Sequence, residues 1–209
     1  MDITEHNRKA WDAESASGSE WATPVNAETI ARARVGDWSV VLTPGRAVPR
    51  DWFGDLSGKE VLCLGSGGGQ QAPVLAAAGA MVTSYDLSEN QLAKDRIVAE
   101  MHDLPVACIQ GDMAQMLAFP EARFDLIFHP ISNLFVPDVE SVWRECARVI
   151  NPDGVLLAGF MNPSFFLFDH EEATVIGELT VRHALPYAEP ASLEGEVLGV
   201  VSPVVSGWL

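Results

Sequence analysis

The sequence predicts an α/β domain with a doubly wound, mostly parallel sheet in a three-layer α/β/α arrangement. From residue 59 onward, short apolar runs alternate with stretches of helical periodicity, and a glycine cluster follows the first run. Strands and helices that alternate in this way are joined by right-handed crossovers and form a parallel sheet. In such sheets ligands bind beyond the carboxyl ends of the strands. The loops that follow the strands are therefore where we expect a site.

Five apolar runs predict the strands of this sheet. They cover residues 60–64, 80–85, 105–109, 124–128 and 155–161. The last of these runs is apolar on both faces, which is typical of a strand covered on both sides. We therefore expect the strand over 155–161 to be central.

Helices are predicted between these strands. The Ala-rich stretch 71–78 follows the glycine cluster and is closed by a further glycine. Ser88-Glu-Asn-Gln91 has the S-x-x-Q form of a capping box, which predicts a helix that runs to about Met101. Apolar residues spaced three and four apart over 139–150 form an amphipathic stripe, and Asn151-Pro-Asp-Gly154 is expected to end that helix.

The first 58 residues differ in character from the remainder of the chain. Four of the six tryptophans lie in this part, mixed with charged residues and prolines: Trp11, Trp21, Trp38 and Trp52. We expect residues 1–58 to form a helical and extended lid segment that packs on the core, with 59–209 as the ligand-binding part of a single domain.

Net charge limits the kinds of partner. With 13 Lys and Arg against 29 Asp and Glu, the chain carries a formal charge of −16 at pH 7, and neither Lys nor Arg occurs after Arg182. Nucleic-acid binders need clustered basic residues, as do proteins that dock on anionic membranes. No segment approaches the roughly 20 apolar residues of a membrane span. We expect a partner that is neither a nucleic acid nor a membrane.

The three cysteines predict neither a zinc site nor a disulfide framework. Cys63, Cys108 and Cys146 are odd in number and contain no C-x-x-C pair. The N-terminus also lacks the apolar core of a signal peptide. These observations favour a reducing cytoplasm and no bound metal.

The glycine loop after the first strand predicts a nucleotide-type ligand without phosphates. The loop reads Gly65-Ser-Gly-Gly-Gly-Gln70, and its glycines leave no side chains in the path of a ligand that lies across the strand end. A tight turn without a ligand is the alternative. The dinucleotide fingerprint requires a glycine where Gln70 stands. A phosphate-binding P-loop is excluded because no G-K-[ST] follows, and no basic residue occurs over 65–91.

Carboxylates follow the next two strands. Asp86 ends the second predicted strand, where it can accept hydrogen bonds from both hydroxyls of a ribose. Its alternative role is to cap the following helix together with Ser88. After the third strand, Asp112 and Met113 offer an acceptor for an exocyclic amine and a thioether that can pack on a purine.

In combination, these stretches resemble the class I S-adenosylmethionine-dependent methyltransferases. The residues that match are 61–69, Asp86, 111–113, 124–128 and 142–154. More narrowly, residues 6–11, 38–44, 64–71 and 129–133 resemble a subgroup of small, C-terminally short bacterial members. The resemblance implies a Rossmann-like methyltransferase fold and S-adenosyl-L-methionine as cofactor, with S-adenosyl-L-homocysteine as its product.

The resemblance also implies a set of site residues. Those expected to bind the cofactor are Gly65, Ser66, Gly67, Gly69, Asp86, Leu87, Asp112, Met113 and His129. His129 and Asn133 are candidates for a catalytic role, with a loop residue that shapes the pocket as the alternative. His6, Asn7 and Trp11 are expected either to form a lid or to pack on the helices. No metal is implied.

Two departures from the family pattern bear on activity. Cys63 stands where the family usually has an acidic residue, and a small buried side chain is its expected role. The chain also follows the strand over 155–161 with only about fifty residues, so the C-terminal strands of the sheet are expected to be incomplete. The β-rich stretches 173–183 and 196–205 are the candidates to cover the open edge, and a homodimer through that side is left open.

Two functions from different classes follow. The first is a methyltransferase that acts on a small-molecule acceptor. The second is a non-catalytic or truncated protein of the same fold that binds only the cofactor or a protein partner. A nicotinamide-dependent reductase is disfavoured by Gln70.

Overall fold

The computed structural model describes residues 2–169, 175 and 177–183. Seven strands are assigned, and they are β1 (Val41–Thr43), β2 (Arg46–Ala47), β3 (Glu60–Leu64), β4 (Met81–Asp86), β5 (Val106–Gln110), β6 (Phe124–His129) and β7 (Ile150–Ala158). The α-helices are α1 (Ile3–Ser17), α2 (Ala27–Arg34), α3 (Gln71–Ala77), α4 (Glu89–His102) and α5 (Val139–Val149). Short 3₁₀ turns cover Glu20–Ala22, Arg50–Trp52, Asn133–Phe135 and Pro163–Leu167.

Five of the strands form one parallel sheet in the order β5-β4-β3-β6-β7. The chain winds outward from β3 through β4 to β5, and then returns to the other side of β3 to add β6 and β7. The strand order therefore reverses between β3 and β6, which is where ligands bind in sheets of this kind. The predicted doubly wound sheet is confirmed.

Central strand β3 divides the core into two layers. Val61 and Cys63 point into a cluster formed with α2 and α3, whereas Leu62 and Leu64 point into a second cluster formed with α5. All four side chains are fully buried, as expected for a parallel strand with helices on both faces. The sheet is thus the middle of three layers.

The bounds predicted for the last strand were wrong. Helix α5 ends at Val149, before residues 151–154 as predicted, but β7 begins at Ile150 and ends at Ala158, so these residues lie within the strand. Its pairing with β6 slips between Phe124 and Leu126, which accommodates these residues. Among the described residues β7 is an edge strand, and Val155 and Leu156 are 41% and 39% exposed.

The candidate cover for this edge lies mostly outside the described residues. Stretch 196–205 is wholly outside, and of 173–183 only Val175 and residues 177–183 are described. The described part forms one isolated antiparallel bridge, between Phe168 and Val181. No described helix is both long enough and apolar enough to cross a membrane.

A buried carboxylate joins helix α4 to the glycine loop. Asp95 is fully buried and accepts hydrogen bonds from the backbone N–H of Gly69 at 2.7 Å and from the Ser84 hydroxyl at 2.6 Å. Among the described residues no basic side chain forms an ion pair with it. Burial raises the pKa of Asp95 to about 7, although both hydrogen bonds favour the charged form.

Two adjacent leucines of β7, which point to opposite faces of the sheet, provide a test of how each face is covered. Leu157 is 7% exposed and Leu156 is 39% exposed. We expect Leu157→Ala to lower the free energy of unfolding by about 2–4 kcal/mol, and Leu156→Ala to lower it by about 1 kcal/mol or less. Urea unfolding followed by circular dichroism measures both values, and equal losses would contradict the finding that only one face of β7 is well covered.

The buried Asp95 predicts a pH-dependent stability. Its folded pKa lies above its unfolded value of about 4, so the folded chain holds a proton that the unfolded chain has released. This contribution therefore weakens the fold as pH rises from about 4 to about 7 and stays constant above that range. In Asp95→Asn, which keeps an acceptor for Gly69, we expect this loss to vanish.

Urea unfolding of both proteins between about pH 4 and pH 8 measures the difference, which should be on the order of a few kcal/mol. Asp103→Asn is the matched control, because Asp103 is exposed and adopts a left-handed conformation that Asn accepts. Parallel pH curves for Asp95→Asn and the unmodified chain would refute the assignment.

Candidate functional site

A cavity of about 320 Å³ lies beyond the carboxyl ends of the parallel strands. Its volume is at the lower end of the roughly 300–1,000 Å³ typical of small-molecule sites. One side, which we call the glycine side, consists of Gly65, Ser66, Gly67, Asp86, Leu87, Gln91, Asp112 and Met113. The other, the apolar side, is built by α1, residues 41–44, Gln71 at the start of α3, the loop after β6 and Met161.

The glycine loop lies so close to its neighbours that side chains would not fit. Gly65 has a φ of +58°, and a Cβ atom there would lie 2.6 Å from the Ser132 hydroxyl. A Cβ atom on Gly67 would lie 2.7 Å from Cβ of Gln91 and 3.2 Å from Oδ2 of Asp86. Glycine is therefore required at both positions for the loop to approach the carboxylate.

Asp86 lies at the end of β4 and faces the cavity. Its Oδ2 accepts a hydrogen bond from the Gly67 N–H and its Oδ1 accepts one from the Ser88 N–H, each at 2.9 Å. A carboxylate has about four lone-pair positions, so both oxygens can accept a further hydrogen bond from a ligand. Burial raises the pKa of Asp86, and the backbone N–H groups of Ser88, Gly67 and Leu87 oppose that shift.

The loop after β5 contributes the second carboxylate. Asp112 accepts a hydrogen bond from the Ala114 N–H at 2.9 Å, and its side chain lines the cavity beside Met113. Gly111 permits this turn, because a Cβ atom there would lie 1.9 Å from the Tyr85 hydroxyl. The structure thus brings the predicted residues Asp86, Asp112 and Met113 to one cavity.

Gly69, His129 and Asn133, which the sequence analysis also named, are not among the residues that line this cavity. Gly69 is packed on Pro24, and its N–H is bound to Asp95. The Asn133 amide donates to the Gly159 carbonyl at 2.6 Å and is buried. Gly69 and Asn133 therefore form contacts within the protein that hold the glycine loop and the loop after β6 in place.

The His129 ring lies beneath the cavity wall. Nδ1 lies 3.0 Å from the Leu64 carbonyl oxygen. Because a carbonyl oxygen can only accept, Nδ1 carries the hydrogen and donates a hydrogen bond to it. The ring packs edge-on against Trp143, and burial lowers its pKa to about 4, so the imidazole is neutral at pH 7. Nε2 is buried without a hydrogen-bond partner among the described residues, and because His129 is not part of the cavity lining, the structure gives no support to a role as general base.

The cavity also contains residues that the sequence reasoning missed. The carboxamide oxygen of Gln91 is buried and has no hydrogen-bond partner among the described residues, while its side chain lines the glycine side. The S-x-x-Q pattern predicted this glutamine as a cap, but only half of the capping box forms: Gln91 N–H donates to the Ser88 hydroxyl. The Ser88 N–H is instead bound by Asp86.

Helix α1 covers the cavity and is attached both to the loop after β6 and to α4. The Asn7 amide donates to the Phe135 carbonyl at 2.7 Å, and the Trp11 ring meets the Phe135 ring edge-on at 5.1 Å. On the other side, Asp12 accepts a hydrogen bond from the Ser88 hydroxyl at 2.6 Å, at the N-terminus of α4. The Lys94 ammonium donates to the carbonyls of Ser15 and Ala22.

Cys63 is buried behind the glycine loop, as a small apolar side chain would be. Burial raises the pKa of its thiol, so the thiol is neutral at pH 7. All three cysteines are free. Among the residues that the structure describes, no three His, Cys, Asp or Glu side chains gather as they would around a metal ion.

Comparison with known proteins identifies the family. A family model described as a methyltransferase domain matches residues 62–158. A Bacillus subtilis protein named uncharacterized methyltransferase YbaJ is 47% identical over 191 residues, which are 91% of this chain and 74% of that protein. A Coxiella burnetii ubiquinone biosynthesis O-methyltransferase is 33% identical over 63% of this chain and 54% of its own length.

A solved structure supports the fold. The S-adenosylmethionine-dependent methyltransferase from Mesorhizobium loti superposes with a TM-score of 0.58 at 23% identity, over 76% of this chain and 71% of that one. At this identity the likeness concerns the fold alone, whereas the Bacillus relative establishes descent. The chain therefore belongs to the class I S-adenosylmethionine-dependent methyltransferase family.

Proposed function

We propose that this enzyme transfers a methyl group from S-adenosylmethionine to a small-molecule acceptor. The observation that carries the proposal is the contact of the glycine loop with Asp86 at the cavity, where the Gly67 N–H donates to the carboxylate. A carboxylate beside a loop without side chains suits a nucleoside that has free ribose hydroxyls and no phosphate. Within the described lining, the ionisable side chains are the carboxylates of Asp86 and Asp112.

The glycine side offers a group for each part of the cofactor. Asp86 would accept hydrogen bonds from the ribose, and Asp112 with Met113 would contact the adenine. Gly65, Ser66 and Gly67 would lie along the methionyl part, close to Leu87. The unpartnered oxygen of Gln91 is a further acceptor, because a buried carbonyl oxygen without a donor is unfavourable until a ligand supplies one.

Bound S-adenosylmethionine supplies a methyl group already activated on a positively charged sulfur. The contribution of the chain is to hold an acceptor atom in line with that methyl group and to keep water away. Helix α1 would provide the cover, through Asn7 and Trp11 on Phe135. A general base is needed only where the acceptor must lose a proton.

The second candidate is a protein that binds the cofactor without turnover. The observation that favours it is Cys63, a neutral buried thiol where the family usually has an acid. Incubation with S-adenosylmethionine and a panel of acceptors separates the two functions, since only the enzyme forms S-adenosylhomocysteine. For the compartment we propose the cytoplasm, because the three free thiols suit reducing conditions.

We expect S-adenosylhomocysteine to bind with a micromolar dissociation constant, about −8 kcal/mol, in calorimetric titration. Asp86→Asn keeps the shape of the side chain but removes its charge, so the hydrogen bonds to the ribose become weaker. The variant should bind about tenfold more weakly or worse.

Asp51→Asn is the matched control, because Asp51 is exposed and lies outside the cavity lining. Its affinity should equal that of the unmodified chain. If Asp86→Asn binds as tightly as the control, Asp86 is not a ribose ligand, and if the folded, unmodified chain does not bind at all, the proposed function is refuted.

A further inference from the structure

The two sides of the cavity differ in chemistry. Both carboxylates belong to the glycine side. The apolar side is formed mainly by large hydrophobic side chains, which are Trp11, Leu42, Ile131, Leu134, Phe135 and Met161. If the glycine side takes the cofactor, the apolar side faces the acceptor.

Polar groups on the apolar side are largely engaged within the protein. The Asn7 amide donates to the Phe135 carbonyl, and the Ser132 hydroxyl donates to the Pro130 carbonyl at 3.1 Å. The Gln71 carboxamide oxygen accepts a hydrogen bond from the Val41 N–H at 3.2 Å. Thr4 and Thr43 add two hydroxyls. Contact with apolar surface, rather than a dense set of hydrogen bonds, is therefore the main source of affinity on this side.

Aromatic rings on this side are partly exposed to the cavity. Trp11 and Phe135 are half-buried and already meet edge-on, 5.1 Å apart. Leu42 and Ile131 are also half-buried and are tied together by a hydrogen bond between the Ile131 N–H and the Leu42 carbonyl at 2.9 Å. Apolar side chains that stay half-exposed in a cavity gain free energy when a flat apolar ligand covers them.

From this wall we infer that the acceptor is a small, flat, uncharged apolar molecule bound between helix α1 and the loop after β6. The inference rests on the proposed function. An anion would lose its hydration at a side whose described residues include no Lys, Arg or His. A cation would also lose its hydration there, because both carboxylates of the lining belong to the glycine side.

The test uses three single-ring probes of nearly equal size that differ in charge: acetophenone, benzoate and benzylammonium. Each is titrated into the full chain saturated with S-adenosylhomocysteine and, separately, into the free chain, and binding is followed by NMR. Acetophenone should bind about tenfold more tightly than benzoate or better, and also more tightly than benzylammonium. Equal or stronger binding of either charged ring would overturn the inference.

A charge placed on the apolar side should change this preference. Met161→Lys keeps a long unbranched side chain and adds a cation to the wall, so benzoate should gain at least about fivefold in affinity relative to acetophenone. Met101→Lys is the matched control, because Met101 lies on α4 with 70% of its surface exposed and is not part of the lining. An equal effect of both variants would place the probe elsewhere and overturn the inference.

Binding of S-adenosylhomocysteine, measured first on the same samples, separates this inference from the proposed function. Loss of that binding refutes the cofactor site, and the titrations of the free chain still test the apolar side. Normal cofactor binding together with no preference among the rings refutes only the inference about the acceptor.

Discussion

The site depends on how the chain turns from β3 into α3. Three of the loop glycines adopt a positive φ, and two loop N–H groups are held by carboxylates, Gly67 by Asp86 and Gly69 by Asp95. Both carboxylates come from the next strand–helix unit, Asp95 fully buried and Asp86 partly buried, and these hydrogen bonds offset only part of their desolvation, because the pKa of each is raised. The conformation of the glycine loop at the cavity is therefore fixed by β4 and α4.

The second constraint is the attachment of the N-terminal segment. Helix α1 reaches the loop after β6 through Asn7 and Trp11, and it reaches α4 through Asp12. Asp12 also lies at the N-terminus of α4, where a negative charge is favourable for the helix dipole. The Lys94 ammonium binds the carbonyls of Ser15, near the end of α1, and of Ala22. Helix α1 is therefore attached to α4, the helix that also carries Asp95.

Much of this architecture could be predicted from the sequence. Apolar runs and glycine punctuation identified the strands and placed Asp86, Asp112 and Met113 at one sheet edge, because these signals depend on neighbours along the chain. Strand β7 starts at Ile150 rather than at Val155, because the shift in its pairing with β6, which accommodates residues 151–154, leaves no signal in the local sequence. Gln91 and the apolar side of the cavity were missed because they arise from contacts between segments that are distant in sequence.

The direction of the His129 side chain could not be predicted from the sequence. The sequence places it directly after a strand that ends at the site, which is correct, yet its ring turns toward the Leu64 carbonyl and Trp143. The direction of a side chain at a strand end depends on packing that periodicity does not encode.

Helix α4 supports both the glycine loop and the cover, whereas part of the apolar side of the cavity comes from α1 and residues 41–44, which precede β3. Substitutions before β3 can therefore alter which molecule is accommodated while the glycine loop and its carboxylates stay unchanged. Within a lineage, acceptor preference can diverge while the cofactor is retained, and exchange of the N-terminal segment between relatives is a direct route to altered selectivity.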